Sequence, residues 1–134
     1  MKYLLDSNIW IYALANISKA TCFLTKTIEN ENGAYSSITR IEVLGYNKIE
    51  KNEILKLRQM LDLLDELKMS DLLDELKMSD KIIKKTITLK QMVAIKTPDA
   101  IIAATALINN LVLVTRNTQD FTKIKNIKIL NPFD

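Results

Sequence analysis

Two hydrophobic patterns alternate along this chain. One is a compact run of three or four apolar residues; the other is a longer stretch with an apolar position every three or four residues, the period of a helix with one buried face. Tyr3-Leu4-Leu5 is of the first kind, so Lys2 to Leu5 is predicted to be a short buried strand that stops at Asp6. Ile9 to Leu14 then begins a helix, and Ser18 to Asn30 forms a second helical stretch closed by the polar turn Asn30-Glu31-Asn32-Gly33. Ala34-Tyr35-Ser36 is a candidate strand, with Ser37 placed to cap a helix through Leu44 and Gly45 as a close-packing point or kink. From Lys51 onward, Ile54, Leu55, Leu57, Met60, Leu61 and Leu64 mark a core-facing helix. Ser79-Asp80 caps a helix from Lys81 to Ile95, and Thr97 as N-cap with Pro98 in the first turn starts another from Asp99 to Asn109. Leu111 to Val114 and Ile127 to Leu130 are the last two predicted strands. Strands alternating with helices predict an α/β fold, a three-layer sandwich with a short, mostly parallel sheet flanked by helices.

The pattern is interrupted once, by a copy of itself. Residues 62–70, Asp-Leu-Leu-Asp-Glu-Leu-Lys-Met-Ser, are followed by an identical nine at 71–79. Nine residues is too short for a solenoid unit, so this is a tandem duplication of one local segment. A continuous helix turns by about half a revolution over nine residues beyond its full turns, which would set Leu63, Leu64 and Leu67 opposite Leu72, Leu73 and Leu76. One set would then face water. A looped-out copy, an extra turn plus loop, or a subunit interface resolves the conflict, and the cap at Ser79 assigns the regular place to the second copy.

Composition narrows the chemistry. At 134 residues with 48% apolar and 26% charged residues, the chain 1–134 is expected to be one globular domain. Two glycines and two prolines leave long unbroken stretches, so helix should dominate, and a glycine-rich phosphate loop is excluded. The lone Cys22 excludes an internal disulfide and a multi-cysteine zinc site, and histidine is absent altogether. A metal site must therefore be built from oxygen, which suits Mg²⁺, Mn²⁺ or Ca²⁺. The N-terminus does not read as a secretory signal, and the apolar stretch Ala100 to Ile108 is too short to span a bilayer, so no membrane association and a cytoplasmic protein are expected. The formal charge of +3 permits phosphate contacts, although a solvated lysine-rich surface explains it equally well.

Four carboxylates stand where such a site could form: Asp6 after the first strand, Glu42 on the helix after the second, Asp99 at a helix start, and Asp120 beyond the strand Leu111 to Val114. If the first and fourth strands are neighbours, their carboxyl ends converge, as ligand sites of open α/β sheets do. Clustered carboxylates repel, and a divalent cation both relieves that repulsion and activates water for attack on phosphorus. Ser7 and Asn8 can bind phosphate or water, Thr39 shares the face of Glu42, Asn117 can orient Asp120, and Arg116 can hold a phosphate. Each residue also has a structural reading. Asp99 suits the helix dipole, Glu42 a solvated helix face and Asp120 a turn. Asp6 is the least ordinary, because an aspartate between a buried strand and an apolar helix needs a partner. Asn8, two residues after Asp6, stands where an aspartate-nucleophile phosphatase would need a second aspartate.

Read in order, Tyr3-Leu4-Leu5-Asp6-Ser7-Asn8-Ile9, Ser36-Ser37-Ile38-Thr39-Arg40-Ile41-Glu42, Thr97-Pro98-Asp99-Ala100-Ile101-Ile102-Ala103-Ala104-Thr105-Ala106 and Val114-Thr115-Arg116-Asn117-Thr118-Gln119-Asp120-Phe121 resemble the PIN-domain ribonucleases, in particular the VapC-type toxins of toxin-antitoxin systems. The resemblance implies a Mg²⁺ or Mn²⁺ site held by Asp6, Glu42, Asp99 and Asp120, with Asp6 and Asp99 at its centre. It also implies endonucleolytic cleavage of RNA to a 5′-phosphate and a 3′-hydroxyl, a cognate antitoxin and a homodimer. A non-catalytic interaction module on the same fold, binding an antitoxin or RNA, is the alternative, because the duplication is not part of the family pattern.

Overall fold

The computed structural model describes residues 2–46 and 69–134. The expected helix from Lys51 onward and most of the first repeat copy, 62–68, lie outside the described residues. In chain order the elements are β1 (Tyr3–Leu5), α1 (Ser7–Leu14), α2 (Ser18–Glu29), β2 (Gly33–Ser36), α3 (Ser37–Leu44), α4 (Met69–Leu72), β3 (Asp74–Leu76), α5 (Asp80–Met92), α6 (Thr97–Ile108), β4 (Val112–Val114), a 3₁₀ turn Thr118–Asp120, and β5 (Ile129–Leu130). The strands form one sheet in the order β3-β2-β1-β4-β5, and every pairing is parallel.

Strand alternation builds two cores. Leu4, Ala34 and Leu113 point to one face of the sheet and pack with Ile82 and Leu89 of α5 and Ile102, Ala103 and Ala106 of α6. Their neighbours Leu5, Tyr35 and Val114 point to the other face and pack with Ile9 and Trp10 of α1, Val43 of α3 and Met69 of α4. Buried strands with apolar side chains on both faces are what a parallel sheet between two helical layers requires. The architecture is the three-layer α/β sandwich that the hydrophobic pattern predicts. On α6, residues Ala100 to Ala106 are all buried, and the alanines let the helix lie close against both the sheet and α5.

Several boundaries differ from expectation for local reasons. Ser36, not Ser37, caps α3: its Oγ accepts from the Ile38 N–H at 3.3 Å, while the Ser37 hydroxyl donates to Glu75 Oε2 at 2.9 Å. The N-cap of α6 is Lys96, which makes no side-chain cap bond, and Thr97 and Pro98 are the first helical residues. Helix α5 stops at Met92 because Val93 is extended, with Lys90 Nζ donating to the Ile95 carbonyl at 2.9 Å across the linker. The second repeat copy does supply the Ser79 cap, whose Oγ accepts from the Ile82 N–H at 3.3 Å. It also supplies β3, a strand absent from the sequence reading. Gly33 is required where β2 begins, since a Cβ there would collide with Thr27 of α2.

Candidate active site

Strand order places the site. β1 lies between β2 and β4, so the chain leaves β1 in one direction and returns on its other side, and a crevice opens at the carboxyl ends of β1 and β4. The pairing Leu5↔Val114 sets the residues that follow, Asp6 and Thr115, side by side. Asp6 N donates to the Val114 carbonyl at 2.9 Å, extending the ladder one step beyond the strand.

Asp6 is 6% exposed and fully engaged. One carboxylate oxygen accepts from the Ser7 N–H at 2.7 Å, capping α1, and the other accepts from the Thr115 hydroxyl at 2.8 Å and from Asn8 Nδ2 at 3.4 Å. Burial nevertheless pushes its pKa up from 3.8 to about 6, since the hydrogen bonds from Thr115 and Ser7 only partly offset desolvation and the charges of Asp99 and Glu42 add to it. Asp99, at the start of α6, is also raised, first by burial and then by Asp120 and Glu42, with Lys96 acting in the opposite sense. The four predicted carboxylates thus lie close enough to act on one another's ionisation.

The supporting residues divide. Ser7 Oγ donates to Glu42 Oε1 at 2.6 Å, tying α1 to α3, and Asn8 links Asp6 to the β4 side by a 3.3 Å bond from Nδ2 to Thr115 Oγ1 and by accepting from the Arg116 N–H at 3.4 Å. Asn117 donates its N–H to Thr115 Oγ1 at 3.1 Å, and its carbonyl accepts from the Asp120 N–H at 3.2 Å, so it positions Asp120 through the backbone. Thr39 is buried on the helix that carries Glu42, and its Oγ1 has no hydrogen-bond partner among the described residues. Arg116 is not gathered into the group: its guanidinium centre lies 5.0 Å from the Tyr12 ring centroid and 4.6 Å from that of Phe133. Thr115 is the residue that sequence reasoning passed over. Its signal was a hydroxyl directly after a buried strand, the same position relative to β4 that Asp6 holds relative to β1.

Among the described residues no three of Asp, Glu or Cys stand close enough to hold a metal ion as they are. The donor set nevertheless fits a hard divalent cation. It is all oxygen, and burial together with neighbouring carboxylate charge disfavours the ionised forms of Asp6 and Asp99, a cost that a cation would relieve. Asp99 and Asp120 line a common groove of about 200 Å³ beside the crevice.

A family profile described as PIN domain matches residues 3–127. No curated protein matches the chain. Among solved structures, a toxin-antitoxin complex from Klebsiella pneumoniae is similar at 27% identity over 99% of each chain, with a TM-score of 0.72. VapBC2 from Rickettsia felis, solved bound to a promoter DNA fragment, is similar at 28% identity over 98% of each chain, with a TM-score of 0.75. VapBC-1 from nontypeable Haemophilus influenzae is 25% identical over the whole of both chains, with a TM-score of 0.71.

Proposed function

The chain belongs to the PIN domain family, and from that membership we propose that it is a Mg²⁺- or Mn²⁺-dependent endoribonuclease, the toxin of a toxin-antitoxin pair. The observation that carries the reading is a buried Asp6 carboxylate at the switch point of the sheet, fixed by Thr115 from the neighbouring strand and raised in pKa first by burial and then by the charges of Asp99 and Glu42. Such a site stores unfavourable negative charge, and a dication is its natural complement.

Asp6, Glu42, Asp99 and Asp120 would hold the cation. A bound Mg²⁺ or Mn²⁺ supplies Lewis-acid polarisation of a phosphoryl oxygen and lowers the pKa of water, so hydrolysis needs no histidine. The chain's own residues supply position. Thr115 and the Ser7 N–H fix both oxygens of Asp6, and the Ser7 hydroxyl holds Glu42 toward the crevice. Asn117 sets the turn that carries Asp120. In-line attack by water would leave a 5′-phosphate and a 3′-hydroxyl.

The similar structure from Klebsiella pneumoniae is a toxin-antitoxin complex, which supports a cognate antitoxin as partner. A homodimer is supported by Ile83 and Ile87, one turn apart on the outer side of α5 and 41% and 52% exposed. Among the described residues no helix is long and apolar enough to cross a membrane, and we place the protein in the cytoplasm.

The test is cleavage of a single-stranded RNA with Mg²⁺, with EDTA, and by Asp6→Asn. Cleavage that requires Mg²⁺ and is lost in the variant supports the reading. Activity that persists with EDTA and in the variant overturns it.

A further inference from the structure

Beside the carboxylates runs a groove of about 200 Å³ lined by Ile95, Lys96, Asp99, Gln119, Asp120 and Lys123. It is smaller than the roughly 300 Å³ at which small-molecule pockets begin, so it suits a piece of a longer chain better than a free ligand. Two lysines flank two of the site's own aspartates in this narrow space. Neither Lys96 nor Lys123 forms an ion pair among the described residues.

Both lysines stand on anchored turns. Lys96 ends the linker between α5 and α6, whose Val93 and Ile95 pack on the core and whose Ile95 carbonyl is held by Lys90 Nζ at 2.9 Å. It stands at the N-cap of α6, one turn before Asp99, and its charge reaches that carboxylate. Lys123 lies between Phe121 and Ile124, both buried in the same core, in a turn closed by the Ile124 N–H donating to the Phe121 carbonyl at 3.1 Å. Thr122 Oγ1 adds a 3.2 Å bond to the Gln119 carbonyl. The anchored turns fix where each lysine's backbone stands, so binding an anion orders only the side chains.

We propose that Lys96 and Lys123 form a phosphate clamp, a subsite that grips a backbone phosphate of single-stranded RNA next to the one cut at the carboxylates. The inference rests on the ribonuclease reading and adds to it which residues seat the substrate. The groove opens onto Asp99 and Asp120, so a strand held by the lysines continues toward the quartet. Gln119 on the same wall offers an amide to the sugar or the phosphate.

The test uses the full-length chain and a short fluorescein-labelled single-stranded RNA, with EDTA present so that nothing is cut. Binding is read by anisotropy across a salt series for the wild type, Lys96→Gln, Lys123→Gln, the double variant, and Lys26→Gln on α2 as control. Each phosphate contact contributes about 0.7 to the slope of log affinity on log salt for a single strand, so the double variant should lose about 1.4 of slope and on the order of tenfold in affinity at moderate salt. Lys26→Gln should match the wild type. With Mg²⁺ the double variant should show a raised KM and an unchanged kcat, the pattern of lost ground-state binding. A double variant with wild-type affinity and slope overturns the clamp even if the wild type cuts RNA. A wild type that neither binds nor cuts RNA overturns both the clamp and the ribonuclease reading.

Discussion

Replacing Asp6 by asparagine should make the metal-free protein more stable at neutral pH, not less. The folded state raises the Asp6 pKa from 3.8 to about 6. At 1.36 kcal/mol per tenfold change in proton affinity, keeping the ionised carboxylate buried costs about 3 kcal/mol once the pH exceeds 6. The sign follows from which state binds the proton more tightly. The folded state does, so this group's contribution is fully present below pH 3.8 and is lost as pH rises through about 6. Asparagine cannot ionise and keeps the cap to the Ser7 N–H. It does present an N–H₂ to Thr115 in place of an acceptor, a mismatch worth about 1 kcal/mol. Asp6→Asn should therefore be about 0.5 kcal/mol less stable than wild type at about pH 4 and about 2 kcal/mol more stable at about pH 7.5. Urea unfolding of both proteins in EDTA at the two pH values measures this, and taking the difference between the proteins cancels the other titrating groups. Saturating Mg²⁺ should reverse the order at neutral pH by stabilising only the wild type. A stability difference that keeps the same sign and size at both pH values would refute the reasoning.

Other outcomes follow from the same geometry. Divalent cation affinity should fall as pH drops below about 6, because the Asp6 proton competes for the site, and should level off above it; calorimetric titration with Mn²⁺ across that range checks this. Thr115→Val should cost about 1–3 kcal/mol in thermal or urea unfolding, since it strips Asp6 of a donor and the Asn117 N–H of an acceptor, and it should lower activity without abolishing RNA binding. Gly33→Ala should destabilise by about 1–3 kcal/mol through overpacking against Thr27, measurable as a lower urea midpoint. Removing either repeat copy yields the same 125-residue polypeptide, from 134 residues less nine. That chain should keep Mg²⁺-dependent cleavage in the RNA assay, because all four carboxylates lie outside the repeat.

The layered fold was legible in the sequence because it rests on local signals. Buried runs such as Leu4-Leu5 and Leu113-Val114 have few other uses, and the cap at Ser79 and the Pro98 start are written in single residues. The carboxylates could be singled out because oxygen was the only donor left to a chain without histidine. Three things were not legible. Thr115 acquires its role only once β1 and β4 pair in parallel, a contact 109 residues apart in the chain. Arg116 reads as a phosphate ligand from its motif, yet its guanidinium settles on Tyr12 and on Phe133, which belong to distant parts of the sequence. The lysines of the groove were visible only as net charge until two separate turns brought them together.

The repeat shows the division most sharply. Asp74-Glu75-Leu76 has no strand propensity of its own, and the same three residues occur nine positions earlier as Asp65-Glu66-Leu67, so no local rule can choose between them. The choice is made by β2, which pairs Ala34, Tyr35 and Ser36 with Asp74, Glu75 and Leu76. It is sealed by α3, where Arg40 reaches Glu75 Oε1 at 2.8 Å and Ser37 donates to Oε2 at 2.9 Å. Hydrophobic period, caps and residue chemistry act over a few residues, so the sequence alone determined the layers and pointed to the four carboxylates as candidates. Edge pairing, the burial that raises Asp6, and the convergence of charges act between segments far apart in the chain, and only the tertiary structure could decide them.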